Sequence, residues 1–149
     1  MDAATFREVG HRLIDQLSEL MAAVPAGPVT RDRPPAAVRD AFDLQRGLPE
    51  DGTDAGRLLT DTAERLFEHS LFNAHPRFFG YITAPPAPIG VLGDLLASAA
   101  NPNLGMWRLA PAATEIELQT VRWIAELIGY PTTAAGLLVS GGNMANLVC

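Results

Sequence analysis

The sequence predicts an α/β fold, and four stretches carry that prediction. Residues 5–24 and 54–71 place apolar side chains at helical spacing. "PAATEIELQTVRWIAELIGYP", Pro111 to Pro131, is a helix with both ends marked. "LLVSGGNMANLVC", Leu137 to Cys149, runs from an apolar β-type segment through a glycine pair into another helix start. Helices therefore fill the front of the chain, and the strand comes late.

In residues 5–24, Phe6, Val9, Leu13, Leu17, Leu20 and Val24 form one stripe, which Ile14 and Met21 widen. Asp2 or Thr5 can cap this helix, and Pro25 ends it. Pro25 to Pro35 is a proline-rich linker. A short helix is expected from Ala36 to Leu44, then a polar loop from Arg46 to Asp54. The helix from Asp54 to Leu71 puts Leu58, Leu59, Thr62, Leu66 and Phe67 on one side. "HPRFFGYITAPPAPIG", His75 to Gly90, changes character. Phe78 to Thr83 is aromatic and β-branched, so it should be extended. Pro85, Pro86 and Pro88 bar it from the middle of a sheet. A helix from Ile89 to Ala100 follows, with Leu92, Leu95, Leu96 and Ala99 on its face, and Asn101-Pro102-Asn103 makes a turn. In the Pro111 helix, Pro111 takes the first position, with Glu115 and Glu117 near the positive end. Ile116, Thr120, Trp123, Ile124 and Leu127 should form its buried stripe. Gly129 supplies the left-handed residue past the end, and Pro131 the stop. Leu137 to Val139 is the expected strand, with a turn at Ser140 to Gly142 and a helix from about Asn143.

The chain has 149 residues and is 48% apolar, enough for a core. Its net charge of −6 argues against nucleic acid or an anionic membrane as partner. The N-terminus lacks the apolar core of a signal peptide, and the glycines and Pro131 in the uncharged tail exclude a membrane span. One cysteine, Cys149, allows no internal disulfide, which fits a reducing compartment such as the cytoplasm. All 11 basic residues are arginine; the sequence contains no lysine. Charges are concentrated at the front. From residue 69 on there are only Arg77, Asp94, Arg108, Glu115, Glu117, Arg122 and Glu126. That part reads as chain to be buried, by itself or by a partner.

A helix start leaves backbone N–H groups unpaired and carries about half a positive charge. Glycines before it let a ligand approach the backbone closely. The turn after Val139 therefore suits a phosphate, with Ser140 and Asn143 as added donors. An ordinary strand-to-helix turn fits the same residues, with Asn143 as a plain N-cap. No lysine follows the glycines and a third glycine is missing, so neither nucleotide-binding fingerprint is present. The scattered histidines and lone cysteine give no metal-ligand spacing, and no metal is expected. His75 reads as a structural residue at the start of the extended segment. His11 and His69 read as solvated, and Trp123 as core. Glu115 and Glu117 compensate helix charge and do not form an acid–base pair.

"HPRFFGYITAPPAPIGVLGDLLASAANPN", then "PAATEIELQTVRWIAELIGYP", then "LLVSGGNMANL" stand in an order and spacing that resemble the pyridoxal phosphate-dependent decarboxylases of the aromatic amino acid and glutamate decarboxylase group. The resemblance is specific from His75 onward and looser through residues 54–71. It implies residues 1–74 as a helical dimerisation segment. It implies residues 75–149 as the start of a large, mostly parallel-sheet domain of aminotransferase-like fold (fold type I), incomplete here. The cofactor phosphate would lie on Gly141, Gly142 and Asn143. The family's usual small hydroxyl and glutamate are replaced by Asn143 and Met144, and Met144 cannot stand in for a carboxylate. The segment matching Tyr81, Thr83 and Ala84 lines the substrate pocket in that group, partly across a homodimer interface; Trp107 and Arg108 flank it. No catalytic residue falls within these residues. The group's lysine, its aspartate on the pyridine nitrogen and its ring-stacking histidine all follow the phosphate turn.

The chain therefore resembles the N-terminal portion of an amino acid decarboxylase, as a truncated gene, a partial sequence or a deliberate fragment. Two other functions stay open: a non-catalytic module pairing with another chain, and part of an aminotransferase. The substrate amino acid is not legible, because Ile82, Thr83 and Ala84 differ from the aromatic decarboxylase pattern.

Overall fold

The structure is a computed structural model, and it describes residues 1–43 and 46–149. These divide into two compact units, Met1–Pro86 and Ala87–Cys149.

The first unit opens with α1, Ala3–Ala23. The Asp2 carboxylate caps it by accepting the Thr5 N–H at 2.8 Å. Pro25 does not end the helix abruptly, because Val24–Ala26 tighten into a 3-10 turn. Helix α2, Pro35–Ala41, begins on a proline as a first-turn position allows. The expected end at Leu44 lies outside the described residues. Helix α3 is Ala55–Glu68, capped by Asp54, which accepts the Arg57 N–H at 2.9 Å.

Helices α1 and α3 pack against each other, burying Val9, Gly56 and Ala63. The Gln16 amide donates across to the Thr60 carbonyl at 3.1 Å. The two helices thus cover one another over a small contact of their own. Gly56 and Ala63 let the helices approach closely, with Leu13, Leu17, Leu20 and Phe67 half-buried around the contact and Phe6, Ile14, Leu58 and Leu66 left exposed. The linker is tied to the end of α3, where the Phe72 N–H donates to the Val29 carbonyl at 3.0 Å and the Phe67 and Phe72 rings sit 5.3 Å apart. His69, read from sequence as solvated, is a correction. It is half-buried, its ring 6.0 Å from that of Phe42, because the linker and α2 fold back over the end of α3.

The second unit holds α4 (Pro88–Ala100), α5 (Pro111–Leu127) and α6 (Gly142–Val148). Proline opens both α4 and α5. Asn101, at φ 38°, ends α4 in the left-handed region, and the following turn lies over Leu104–Leu109. At the end of α5, Gly129 has φ 71°. Its N–H donates to the Glu126 carbonyl at 3.1 Å, and the Tyr130 N–H reaches the Ala125 carbonyl at 2.8 Å. These are the two bonds of a Schellman motif, at the glycine expected from sequence.

Two expectations fail in this unit. Ile116, Trp123, Ile124 and Leu127 of α5 are exposed, and only Ala125 of that helix is buried. Periodicity marks a face fit for burial, but among the described residues no element covers this one. Leu137 to Val139 also forms no strand, so the α/β class is not realised among the described residues. A strand needs a neighbour to take its backbone groups. Here the Leu138 N–H goes instead to the Glu117 carboxylate at 3.0 Å.

Among the described residues no helix is long and apolar enough to cross a membrane.

Candidate functional site

The glycine turn has the backbone its sequence implies. Gly141 sits at φ 81° and ψ 157°, where any side chain would be strained. Helix α6 begins at once on Gly142, and no side chain caps it. Asn143 is therefore the second helical residue and not the N-cap. A Cβ added at Gly141 or Gly142 would meet nothing within 4 Å, so the space before the turn is open. The first helical bond is from Ala145 N–H to the Gly141 carbonyl at 3.2 Å. The N–H groups of Gly142, Asn143 and Met144 precede it and take no acceptor among the described residues.

Two contacts hold the segment leading into this turn against α5. One is the Glu117–Leu138 bond already given. The other is Gly136, where an added Cβ would lie 2.5 Å from Val121 Cγ1. Glu115 accepts the Trp107 indole N–H at 2.8 Å. Both glutamates thus have partners that spacing along the helix could not reveal.

Tyr81, Thr83 and Ala84 lie in the other unit, all exposed, on the loop between α3 and α4. The Phe78 to Thr83 segment is not uniformly extended, because Tyr81 has φ 60°. A turn at this point brings the Tyr81 ring to 6.3 Å from that of Phe78. Asn73 donates its side-chain N–H to the Ala84 carbonyl at 2.8 Å.

His75 anchors the loop's base. It is 2% exposed. Its Nε2 lies 3.0 Å from the Gly27 carbonyl, and its Nδ1 accepts the Arg77 N–H at 3.0 Å. One neutral tautomer, with the proton on Nε2, satisfies both contacts. Arg77 also donates to the Gly27 carbonyl at 3.3 Å. The ring is saturated with backbone partners, which fits the structural role expected of it. Among the described residues no group of three or more His, Cys, Asp or Glu side chains could hold a metal ion.

Residues 35–149 match the pyridoxal-dependent decarboxylase conserved domain. The chain belongs to this family. It is 32% identical, over 147 residues, to the aromatic-L-amino-acid decarboxylase of Bacillus atrophaeus; the match covers 99% of this chain and 30% of that protein. Among solved structures it is similar to Oryza sativa TDC with PLP and tryptamine. That match has a TM-score of 0.79 and 25% identity, covering 95% of this chain and 29% of the other. It also shares its fold with the glutamate decarboxylase domain of a diaminobutyrate-pyruvate transaminase and L-2,4-diaminobutyrate decarboxylase from Vibrio parahaemolyticus. There the TM-score is 0.82 at 22% identity, over 96% of this chain and 30% of that one. The chain thus spans about 30% of the length of these family members. Both the glycine turn and the Asn73–Ala84 loop lie inside the family-matched span.

Proposed function

We propose that this chain is the N-terminal part of a pyridoxal phosphate-dependent amino acid decarboxylase. In this reading it supplies dimer contacts, one wall of the substrate pocket and part of the cradle for the cofactor phosphate. The glycine turn inside the family-matched span carries the proposal. Gly141 at φ 81° turns the backbone so that α6 starts with three unpartnered N–H groups facing open space. Such a group of donors, with the helix dipole behind it, suits a phosphate monoester. The residues present therefore fit the group.

Gly141 gives backbone access, Gly142 and Asn143 donate N–H bonds, and the Asn143 side-chain amide adds a further donor. Bound pyridoxal phosphate would take up the electron pair left as carbon dioxide departs. These 149 residues contain no lysine, so covalent attachment of the cofactor is not among their tasks. Tyr81, Thr83 and Ala84 would face the amino acid. The Tyr81 ring would give an apolar surface, and the Thr83 hydroxyl a hydrogen-bonding group. Residues 1–74 act as the dimerisation segment of a homodimer, and residues 75–149 open an aminotransferase-like α/β domain. Leu137 to Val139 becomes its first strand once a neighbouring strand takes its backbone groups. A cytoplasmic location belongs to the same reading, supported by the single cysteine.

The test is an amide NMR titration of the chain with pyridoxal phosphate. Saturable shifts at Gly141 to Met144, competed by inorganic phosphate and weakened by Asn143→Asp, are expected. Unmoved turn amides at millimolar ligand would refute the cradle.

A further inference from the structure

The loop from Asn73 to Ala84 is held in a conformation that its own residues do not favour. Tyr81 at φ 60° is in the left-handed region, where a bulky side chain is strained. Such strain persists only where the surroundings over-determine the backbone. Three contacts do so here. The Asn73 side chain closes the loop's two ends through the Ala84 carbonyl at 2.8 Å. His75 fixes the base to Gly27 and to Arg77. The Phe78 ring lies under Gly80, where an added Cβ would be 3.3 Å from Cε2 and Cζ.

The held loop displays its large side chains. Phe79, Tyr81 and Ile82 are almost wholly exposed, in a unit where Val9 and Ala63 are the only buried apolar residues among those described. A loop that merely connected α3 to α4 would gain by turning these groups inward. A strained, clasped loop that keeps them outward is built to present a surface. We propose that Asn73 is the positioning residue of this loop, holding Tyr81, Thr83 and Ala84 as a preformed wall. That the wall faces an amino acid rests on the function proposed above; the clasp itself does not.

Asn73→Asp is the informative variant. It keeps the side chain's shape, removes the N–H donor and sets a carboxylate against a carbonyl. Asn73→Ala removes the contact without the repulsion. Backbone 15N relaxation of the full chain gives an order parameter for each residue from Phe78 to Ala84. Rigid backbone has values of about 0.85 and flexible backbone below about 0.6. The wild type should be rigid across the loop. In both variants the order parameters should fall below about 0.6, and the Phe78–Tyr81 ring contacts should vanish from NOE spectra. Helices α1 and α3 should keep their values. Three results would overturn the proposal: a flexible wild-type loop, a variant loop as rigid as wild type, or equal loosening of α1 and α3. The last would make Asn73 a plain stability residue. Failure of the decarboxylase reading would appear elsewhere, as a glycine turn unresponsive to phosphate, with the loop measurement unchanged.

Discussion

Removing the His75 side chain tests the buried heart of the first unit. His75→Ala deletes two hydrogen bonds, to the Gly27 carbonyl and from the Arg77 N–H, each 3.0 Å long. The Gly27 carbonyl keeps a partner in Arg77, at 3.3 Å. The Arg77 N–H keeps none among the described residues. Each lost bond is worth about 0.5–1.5 kcal/mol net, and because Arg77 is exposed its freed N–H can turn to water. The expected loss is therefore about 1–3 kcal/mol. For a unit of this size each kcal/mol lowers Tm by about 4–8 °C, so the midpoint should drop by at least about 4 °C. His75→Asn separates the two contacts. Its Oδ1 can accept the N–H two residues on, as in an Asx-turn, but it cannot reach Gly27. It should cost about half as much. Circular dichroism melts at several wavelengths, with guanidinium titrations beside them, would measure both variants and check for a single transition. A change below about 0.5 kcal/mol in His75→Ala would refute this account of the ring, since that is the spread of ordinary surface substitutions.

Four further outcomes are expected. Gly136→Ala places a methyl 2.5 Å from Val121 Cγ1 and should destabilise the second unit by about 1–3 kcal/mol; adding Val121→Ala should recover much of that, as a double-mutant cycle in denaturant would show. The Asp2 carboxyl is held below its ordinary value mainly by the Thr5 backbone N–H, so its cap is present above the unfolded carboxylate range and lost as pH falls through the folded value. NMR shifts of the first turn of α1 between about pH 5 and pH 2 should report this loss, and Asp2→Asn should remove the pH dependence while keeping the cap. Borohydride reduction of the chain with pyridoxal phosphate, followed by intact mass, should give no adduct on an internal residue, since the sequence holds no lysine. Light scattering should find the chain self-associated; a monodisperse monomer with one sharp unfolding transition would mean that its apolar faces close on themselves.

Local chemistry was legible wherever neighbours in sequence decide the outcome. Asp2 caps α1 because its carboxylate reaches an N–H three residues on. Gly129 ends α5 because only a residue free of Cβ strain sits easily at φ 71°. Gly141 reverses the chain before α6 for the same reason. The contacts of Asn73, Glu117 and His75 were hidden because each needs a partner that the fold brings near. Gly27 is 48 residues from His75, and Leu138 is 21 residues from Glu117. Nothing in the spacing announces such a pair. Tyr81 misled most, since an aromatic, β-branched run suggests extension and the strain comes from the loop around it.

The corrections share one physical cause. A helical stripe records that a face is suited to leave water, and says nothing of what will cover it. In the first unit, α1 and α3 cover one another in part, burying Val9, Gly56 and Ala63. In the second, Leu95, Leu96, Ile116, Trp123 and Leu127 stay exposed. The chain presents 12192 Å² to solvent. A compact monomer of 15.9 kDa would expose about 7,400 Å², and even two separate compact bodies dividing that mass about 8,800 Å². The excess of over about 3,000 Å² is therefore not a matter of how the two units are arranged, but lies within them. At about 25 cal/mol per Å², covering the apolar part of such a surface gives a large gross driving force, from which the costs of ordering and desolvation are subtracted. The same sparse charge that leaves residues 127–149 without an ionic side chain offers little repulsion to a covering surface. The apolar stripes of α4 and α5 thus gain by being covered, which is the ground for expecting the chain to self-associate in light scattering.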